Sequence, residues 1–275
     1  MLHALDLYCC GGGATRGLQQ AGFVVTGVDI EPQPHYCGDA FIQADALAVL
    51  LNLDVQRFDL IWASPPCQAH TALKVLHNAH QHEDLIAATR ALLIASGRPW
   101  VIENVVGAPL INPVMLCGTS FGLQTAGGAQ LQRRRLFEAS FPLTAPPCWH
   151  DDSKPTIGIY GGHFRNRRRP KGKNHQSGSN FSVVDGRAAM GTPWLTVGEI
   201  SQAIPPAFSR YIAEQFLAQF ATDSGVPAQT VEKPPFATGP GGSAPDEAAG
   251  GRRLRASTSC GQFNRSVKKQ RIGLN

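Results

Sequence analysis

Strand-like and helix-like patterns alternate along the N-terminal part of this chain. Short apolar, β-branched runs are typical of buried strands, and longer segments between them have helical spacing. Strands that alternate with helices predict a parallel sheet with right-handed crossovers, in which ligands bind at the carboxyl ends of the strands. The predicted strands are residues 4–8, 23–28, 41–44, 59–63 and 99–103, and the predicted helices are 15–21 and 83–96.

The pattern changes in the second half of the chain. Residues 138–189 are rich in Pro, Gly, Arg, Asn and Ser, so we expect a small irregular insertion there. Regular order returns over 190–221, where a Pro-Pro pair opens a helix with apolar residues at helical spacing. Residues 222–275 lack periodicity and are predicted to form a disordered tail with a basic end. The main α/β domain is therefore expected over 1–137, completed by 190–221.

Positive charge is concentrated in two stretches. The chain carries a net charge of +5, and residues 251–275 hold seven Lys and Arg residues and no acid. A second basic cluster lies between Asp152 and Asp185. We interpret this basic cluster as a surface that contacts phosphates, with a solvated loop as the alternative. Its members are Arg165, Arg167, Arg168, Arg169, Lys171 and Lys173.

Composition indicates a soluble, cytoplasmic protein. The hydrophobic fraction is 43%, and no apolar run approaches the roughly 18 residues of a membrane span. The chain opens on a predicted strand, so no signal peptide is expected. The cysteines, seven in number, lack C-x-x-C pairs, which favours reduced thiols. Cys148 and His150 are possible metal ligands, but nothing nearby completes a set of four, so no metal is expected.

Polar residues after the predicted strands indicate a nucleotide-like cofactor. The glycine turn at 11–13 would let a ligand approach the backbone, although Arg16 occupies the last glycine of a G-x-G-x-x-G pattern. Asp29 ends the second strand, where acids commonly bind ribose hydroxyls. Asp45, after the third, could accept a hydrogen bond from an adenine amine. A plain tight turn and helix-capping carboxylates are the alternatives. In combination, these features favour an adenosine cofactor.

Cys67 and Glu103 are the candidate catalytic groups. Pro65 and Pro66 restrain the backbone before Cys67, so its thiol is held at a strand exit. A nearby arginine or helix N-terminus would raise its thiolate fraction. Glu103 ends a buried strand, where burial would raise the pKa of its carboxyl and suit it to share a proton with a ring nitrogen. The alternatives are a buried structural thiol and a helix-capping carboxylate.

Arg133 and Arg135 lie in a short basic run that enters a further predicted strand. Alternation along a strand places these two side chains on one face and Arg134 on the other. Two guanidinium groups on one side can stabilise a thiolate together with a phosphate or a carbonyl. An exposed edge strand is an equally good interpretation of this run by itself.

In combination, these segments resemble the motifs of the DNA cytosine-5 methyltransferases, in the family's order. The resemblance covers residues 1–137 and about 190–221, and is closest to short bacterial or phage-type members. It implies a Rossmann-like sheet with helices on both faces and S-adenosyl-L-methionine (AdoMet) as cofactor. The matching segments are residues 6–13 (DLYCCGGG), 65–68 (PPCQ), 103–105 (ENV), 133–135 (RRR) and 202–206 (QAIPP). The implied AdoMet-binding residues are Asp6, Tyr8, Gly11, Gly12, Gly13, Asp29, Asp45 and Pro66.

The resemblance also implies roles for the catalytic candidates. Cys67 attacks C6 of a cytosine flipped out of duplex DNA, while Glu103 engages N3 and the exocyclic amine. Arg133 and Arg135 hold the base and support the thiolate. C5 then takes the methyl group, and β-elimination releases the enzyme. Region 138–189 corresponds to the target-recognition region, and its basic cluster fits DNA-backbone contacts. We expect a monomer that methylates DNA, as in restriction–modification.

Two alternatives stay open: a tRNA cytosine-5 methyltransferase of the same fold, and a catalytically silent DNA-binding or regulatory homologue. The chain also departs from the family's pattern. Cys10 replaces a glycine, His70 an aromatic residue, Leu131 a glutamine, and Ser201-Gln202 a Gly-Asn pair. These departures concern cofactor affinity and the bracing of the recognition region, and none removes a catalytic group.

Overall fold

The computed structural model describes residues 1–66, 84–160, 163–166 and 181–223. Its strands are β1 (Leu2–Leu7), β2 (Phe23–Asp29), β3 (Ala40–Gln43), β4 (Leu60–Ala63), β5 (Trp100–Val105), β6 (Val114–Leu116), β7 (Gln130–Leu131), β8 (Arg135–Ala139), β9 (Thr156–Tyr160) and β10 (His163–Asn166). Its α-helices are α1 (Gly13–Gln20), α2 (Ala46–Asn52), α3 (Ile86–Ser96), α4 (Val183–Met190), α5 (Val197–Gln202) and α6 (Pro206–Asp223).

The main sheet has seven strands in the order β3-β2-β1-β4-β5-β8-β6. Strands β1 to β5 pair in parallel, whereas β8 is antiparallel to both β5 and β6. Leu7 pairs with both Val28 and Ala63, so β1, β2 and β4 end at the same level. The residues that follow these strands therefore lie along one edge of the sheet, where the sequence predicts a ligand site.

Helices cover both faces of this sheet. Ala4 and Trp62 pack in one buried cluster with Leu18 of α1 and Phe208 of α6. Leu5 packs on the opposite face, in a second cluster with α2 and α3. Because successive strand residues point to opposite faces, burial on both sides accounts for the continuous apolar runs in the sequence. The predicted Rossmann-like sheet with helices on both faces is confirmed.

Helix α6 packs closely against α1. A Cβ at Gly17 would clash with the Pro206 carbonyl oxygen and the Ser209 hydroxyl, so only glycine allows this approach. Ser209 Oγ also donates to the Ala14 carbonyl oxygen at 2.8 Å. The helix predicted after the Pro-Pro pair is confirmed. It extends to Asp223, which lies within the segment predicted to be tail.

A second sheet has three strands in the order β10-β9-β7. Leu131, Ile157 and Phe164 form its buried cluster together with Met190 of α4 and Leu195. The region between 138 and 189 is therefore more ordered than predicted, since it contributes β9, β10 and most of α4. The strands are too short, and too mixed in polarity, to show a clear period in the sequence.

Several predictions concern residues outside the described ranges. These include Cys67, His70 and the tail from residue 224 onward. Of the basic cluster, only Arg165 falls within a described element, β10, and the other five members lie outside. Among the described helices, none combines the length and apolar character that crossing a membrane requires.

Candidate functional site

The carboxyl ends of β4 and β5 bring three polar side chains together. Arg135 Nε lies 3.0 Å from Glu103 Oε1, and the two side chains are only 12% and 9% exposed. The Ser64 hydroxyl, just after β4, donates to the same carboxylate. Burial raises the pKa of Glu103, while the charges of Arg135 and Arg133 and the Ser64 hydrogen bond oppose that rise. The buried carboxyl predicted at this strand end therefore has an arginine beside it.

Asn104 fixes the backbone that leads to Cys67. Its Nδ2 donates to the Pro65 carbonyl oxygen at 3.0 Å, and its Oδ1 accepts from Val105 N at 2.9 Å. Asn104 is 1% exposed, so this contact is sealed from water. The restraint on the strand exit thus comes from β5 as well as from the two prolines. The placement of the Cys67 thiol beside Glu103 stays a prediction.

The turn between β1 and α1 has left-handed backbone at Cys10 and Gly12, with φ of 44° and 86°. Glycine adopts this conformation freely, whereas a residue with a Cβ is strained by about 1–2 kcal/mol. Asp29 Oδ2 accepts from Cys10 N at 2.9 Å, and its Oδ1 accepts from Glu31 N at 3.0 Å. Asp29 thus joins the turn to the end of β2.

Side chains from distant segments hold the same turn. Trp194 Nε1 donates to the Gly11 carbonyl oxygen at 2.9 Å, and Cys37 Sγ donates to that of Gly12 at 3.2 Å. The Arg16 guanidinium lies over the Trp194 ring, 5.2 Å from its centroid. A braced turn of glycines next to the Asp29 carboxylate fits the adenosine part of AdoMet.

Asp6 is buried beneath this turn. Thr15 Oγ1 donates to Asp6 Oδ2 at 2.5 Å, and Asp6 Oδ1 has no hydrogen-bond partner among the described residues. Burial raises the pKa of Asp6 to about 7, the hydrogen bonds with Thr15 oppose the rise, and the charges of Asp29 and Glu103 add to it. The contact that the structure shows for Asp6 is with α1, and its role toward AdoMet stays a prediction.

The other predicted cofactor residues also have structural contacts. Tyr8 has a φ of 59°, and its hydroxyl hydrogen-bonds Thr89 Oγ1 at 2.9 Å. Asp45 Oδ1 accepts from Ala48 N at 2.8 Å and so caps α2, the alternative that the sequence left open. Pro66 is half-buried. Tyr8, Asp45 and Pro66 all lie beyond the carboxyl ends of parallel strands, where a cofactor is expected.

Arg133 does not share a strand face with Arg135. Strand β8 begins at Arg135, and Arg133 has a φ of 36°, so the predicted alternation is wrong. The Arg133 guanidinium donates to the carbonyl oxygens of Ile159, Ser201 and Ala203 at 2.9, 2.7 and 2.5 Å. Arg133 therefore joins β9 to the end of α5. The position of the Arg133 side chain is set by carbonyl acceptors from distant segments. The local sequence pattern does not predict these acceptors.

Two departures from the family's pattern meet in space. Cys10 Sγ donates to Gln202 Oε1 across 3.7 Å, which joins the β1–α1 turn to α5. Burial raises the pKa of Cys10 to about 12, so its thiol stays protonated at neutral pH. The neighbouring Ser201 provides a carbonyl acceptor for Arg133. Leu131 is buried in the second sheet's core.

A cavity of about 720 Å³ opens beside the second sheet. Arg133, His150, Lys154 and Tyr160 are among its lining residues. None of the residues predicted to bind AdoMet contributes to this lining. Contact between the basic cluster and DNA phosphates stays a prediction.

Cys117, Cys148 and His150 form a second cluster, with their ligand atoms all within 4.8 Å of one another. The expectation of no metal rested on the lack of further ligands near Cys148 in sequence. Folding brings Cys117 from a distant segment to these two residues, which makes a set of three. Cys148 is disulfide-bonded, so the expectation of reduced thiols is wrong for this residue. The other four described cysteines are free thiols.

No protein-family model and no curated protein matches this sequence. Solved structures share its fold. Methyltransferase EhMeth of Entamoeba histolytica superposes with a TM-score of 0.55 at 9% sequence identity. The Dnmt2 methyltransferase of S. pombe has a TM-score of 0.53 at 13% identity. A mutant DNMT2 of Spodoptera frugiperda has a TM-score of 0.50 at 12% identity. Each comparison covers 80% of this chain and 99% or 100% of the other chain. The chain has the fold of these methyltransferases.

The methyltransferase fold confirms the resemblance at the level of architecture. The structure also shows three contacts that the motif residues alone did not reveal. Ser64 contacts Glu103, Asn104 holds Pro65, and Trp194 holds the glycine turn. Asn104 could have been singled out, because a polar residue after a buried strand-end acid must find a buried partner. The role of Trp194 has no local signal, since its partner lies at the other end of the chain.

Proposed function

We propose that this chain is an AdoMet-dependent cytosine-5 methyltransferase that acts on duplex DNA. The observation that carries the proposal is the ion pair of Glu103 and Arg135 at the end of β5, beside the strand exit that leads to Cys67. Addition of a nucleophile to a cytosine ring needs a thiolate and a proton donor close together. The shared methyltransferase fold supports the same conclusion.

Cys67 is proposed as the nucleophile, presented from a backbone that Asn104 and the two prolines restrain. Its thiolate forms a bond to C6 of cytosine, N3 takes up a proton, and C5 becomes nucleophilic like an enamine. AdoMet, when bound, supplies the electrophilic methyl group that C5 accepts. Loss of the C5 proton to a base re-forms the C5–C6 double bond and releases the thiolate, and N3 returns its proton to Glu103. The base must be flipped out first, which costs a few kcal/mol.

Glu103 is suited to supply the proton to N3. Because burial raises the pKa of its carboxyl, the protonated form persists to higher pH than it does in water. Arg135 and Ser64 stabilise the carboxylate once the proton has left. The same group can therefore donate to N3 and accept a hydrogen bond from the exocyclic amine.

The β1–α1 turn is proposed as the AdoMet site. Gly11 and Gly12 form a buried turn without side chains, and Asp29 places a carboxylate beside it at the end of β2. Trp194 and Cys37 hold the two glycine carbonyls, so the turn is preorganised before a ligand arrives.

Methyl transfer from labelled AdoMet to duplex DNA and to tRNA tests the proposal. We expect label in DNA, and loss of transfer in both Cys67→Ser and Glu103→Gln. Glu214→Gln, which removes a carboxylate from a half-exposed ion pair outside this site, is the control and should leave transfer unchanged. Bisulfite sequencing of DNA from cells that express the chain would then reveal the target sequence.

Each result of this experiment has a defined meaning. Label in tRNA alone overturns the DNA assignment and supports the tRNA enzyme. Binding of AdoMet without transfer to either substrate supports the silent homologue. A Cys67→Ser variant as active as the parent refutes the nucleophile, whatever the substrate.

A further inference from the structure

The cluster of Cys117, Cys148 and His150 has the geometry of a metal site. His150 Nε2 lies 3.3 Å from Cys117 Sγ and 3.6 Å from Cys148 Sγ. Tetrahedral zinc, with bonds of about 2.3 Å to sulfur and about 2.0 Å to nitrogen, separates such ligand atoms by about 3.5 Å. The two sulfur–nitrogen distances lie on either side of that value. The cysteines are 1% and 4% exposed, so two of the three ligand side chains are buried.

The backbone holds the three ligands in place from two segments. Cys117 directly follows β6, and its carbonyl oxygen accepts from Ser120 N at 3.0 Å. His150 is followed by Asp151, whose backbone is clamped by the buried Gln130. Gln130 Nε2 donates to Asp151 O at 2.7 Å, and Gln130 Oε1 accepts from Asp151 N at 3.0 Å. The ligands are therefore presented by restrained backbone on each side.

The donor set selects the kind of metal. Thiolate and imidazole are soft or borderline ligands that favour zinc, whereas magnesium and calcium prefer oxygen ligands. Three protein ligands leave one tetrahedral position for a water molecule. An ion here would connect the end of β6 in the main sheet to the segment that precedes β9 in the second sheet.

We propose that the reduced protein binds one Zn²⁺ ion through Cys117 Sγ, Cys148 Sγ and His150 Nε2, and that this ion braces the second sheet against the main sheet. Cys148 is disulfide-bonded in the structure, so the site forms only after a phosphine or thiol reductant converts that disulfide to two thiols. On binding, the Cys117 and Cys148 thiols each release one proton to solvent. The assignment does not depend on the methyltransferase activity.

Metal content and cobalt spectroscopy test the assignment. The full chain, reduced with a phosphine and dialysed against Zn²⁺, should retain about one zinc per molecule. Co²⁺ should give a thiolate charge-transfer band and the visible bands of a tetrahedral ion. Cys117→Ser and His150→Ala should each weaken Zn²⁺ binding by more than about 100-fold. Cys37→Ser, which removes a free thiol outside the cluster, is the matched control and should retain the metal.

Two further measurements decide between this site and adventitious binding. Removal of zinc by a chelator should lower the melting temperature of the reduced parent but not that of Cys117→Ser. The oxidised chain should not bind the ion. Absence of zinc and of the cobalt thiolate band in the reduced parent would overturn the site. Equal binding by the oxidised chain, or by Cys117→Ser, would do the same.

Discussion

Asn104 Nδ2 donates to the carbonyl oxygen of Pro65 across 3.0 Å, and so ties the end of β5 to the exit of β4. Both strands lie side by side in the main sheet. The carbonyl stands two residues before Cys67, while Asn104 directly follows Glu103. One hydrogen bond therefore couples the backbone that carries Glu103 to the strand exit that precedes Cys67 in sequence. Asn104 is a positioning residue in this arrangement.

Replacement of Asn104 tests that coupling. Asn104→Ala leaves the Pro65 carbonyl oxygen buried without its donor, which should lower the free energy of unfolding by about 1–3 kcal/mol. Displacement of the strand exit should lower kcat for methyl transfer by about 100-fold, with the KM for AdoMet nearly unchanged. Urea unfolding and steady-state kinetics measure the two effects. Asn52→Ala, at an exposed helix position, is the control. A variant with parental kcat would show that the hydrogen bond does not position the site.

Arg133 should act on stability through its three carbonyl contacts. Arg133→Met removes a buried guanidinium and leaves those carbonyls without their donor, so unfolding should become easier by about 3 kcal/mol. The control is Arg210→Met, which breaks a half-exposed pair with Glu214 and should cost less than about 1 kcal/mol. Chemical denaturation of both variants makes the comparison. Equal stability of the two would contradict the bracing role.

The protein should be more stable with glycine at position 10 than with alanine there. Both substitutions remove the contact with Gln202, so their difference isolates the backbone at a φ of 44°. Cys10→Gly should exceed Cys10→Ala in stability by about 1 kcal/mol, because glycine is not strained there. Cys37 lacks a positive φ, so Cys37→Ala should be more stable than Cys37→Gly. The same order at both positions would remove the strain argument.

Asp6 should make stability fall as pH rises. Its pKa is raised from 3.8 to about 7 in the folded protein, so the folded state holds the proton more tightly than the unfolded chain does. This contribution is fully present below about pH 4 and is lost as pH rises through about 7, a change of a few kcal/mol. Asp6→Asn should remove that slope, whereas Asp54→Asn, at an exposed cap, should keep it. Denaturation midpoints from pH 4.5 to 8 measure this pH dependence of stability. Equal slopes of midpoint against pH for the parent and Asp6→Asn would refute the role of Asp6.

Much of the main sheet follows from local sequence. Short apolar runs that end on glycine or polar residues predict β1, β2, β4 and β5, and the structure contains each of them. Glu103 and Asp29 were found in the same way, because a polar residue at the end of a buried strand lies at the ligand-binding edge. These features depend on a few consecutive residues, whose periodicity and polarity the sequence records directly.

The second sheet and the contacts of Arg133 do not follow from local sequence. The spacing of Arg133 and Arg135 suggested one strand face, but the carbonyls of Ile159 and Ala203 hold Arg133 outside any strand. Strands β9 and β10 have only five and four residues, too few for a period to stand out. Their order comes from burial against α4 and α5 rather than from propensity.

The sequence by itself therefore determined the alternating sheet and helices and the glycine turn, and it supplied Cys67, Glu103 and Arg135 as candidate catalytic residues. Only the tertiary structure decided that Asn104 holds Pro65, that Trp194 holds the glycine turn, and that Cys117 joins Cys148 and His150. The physical reason is the sequence separation of the residues in contact. Strand and helix patterns arise from neighbouring residues, whereas these contacts join segments that come together only when the core is buried.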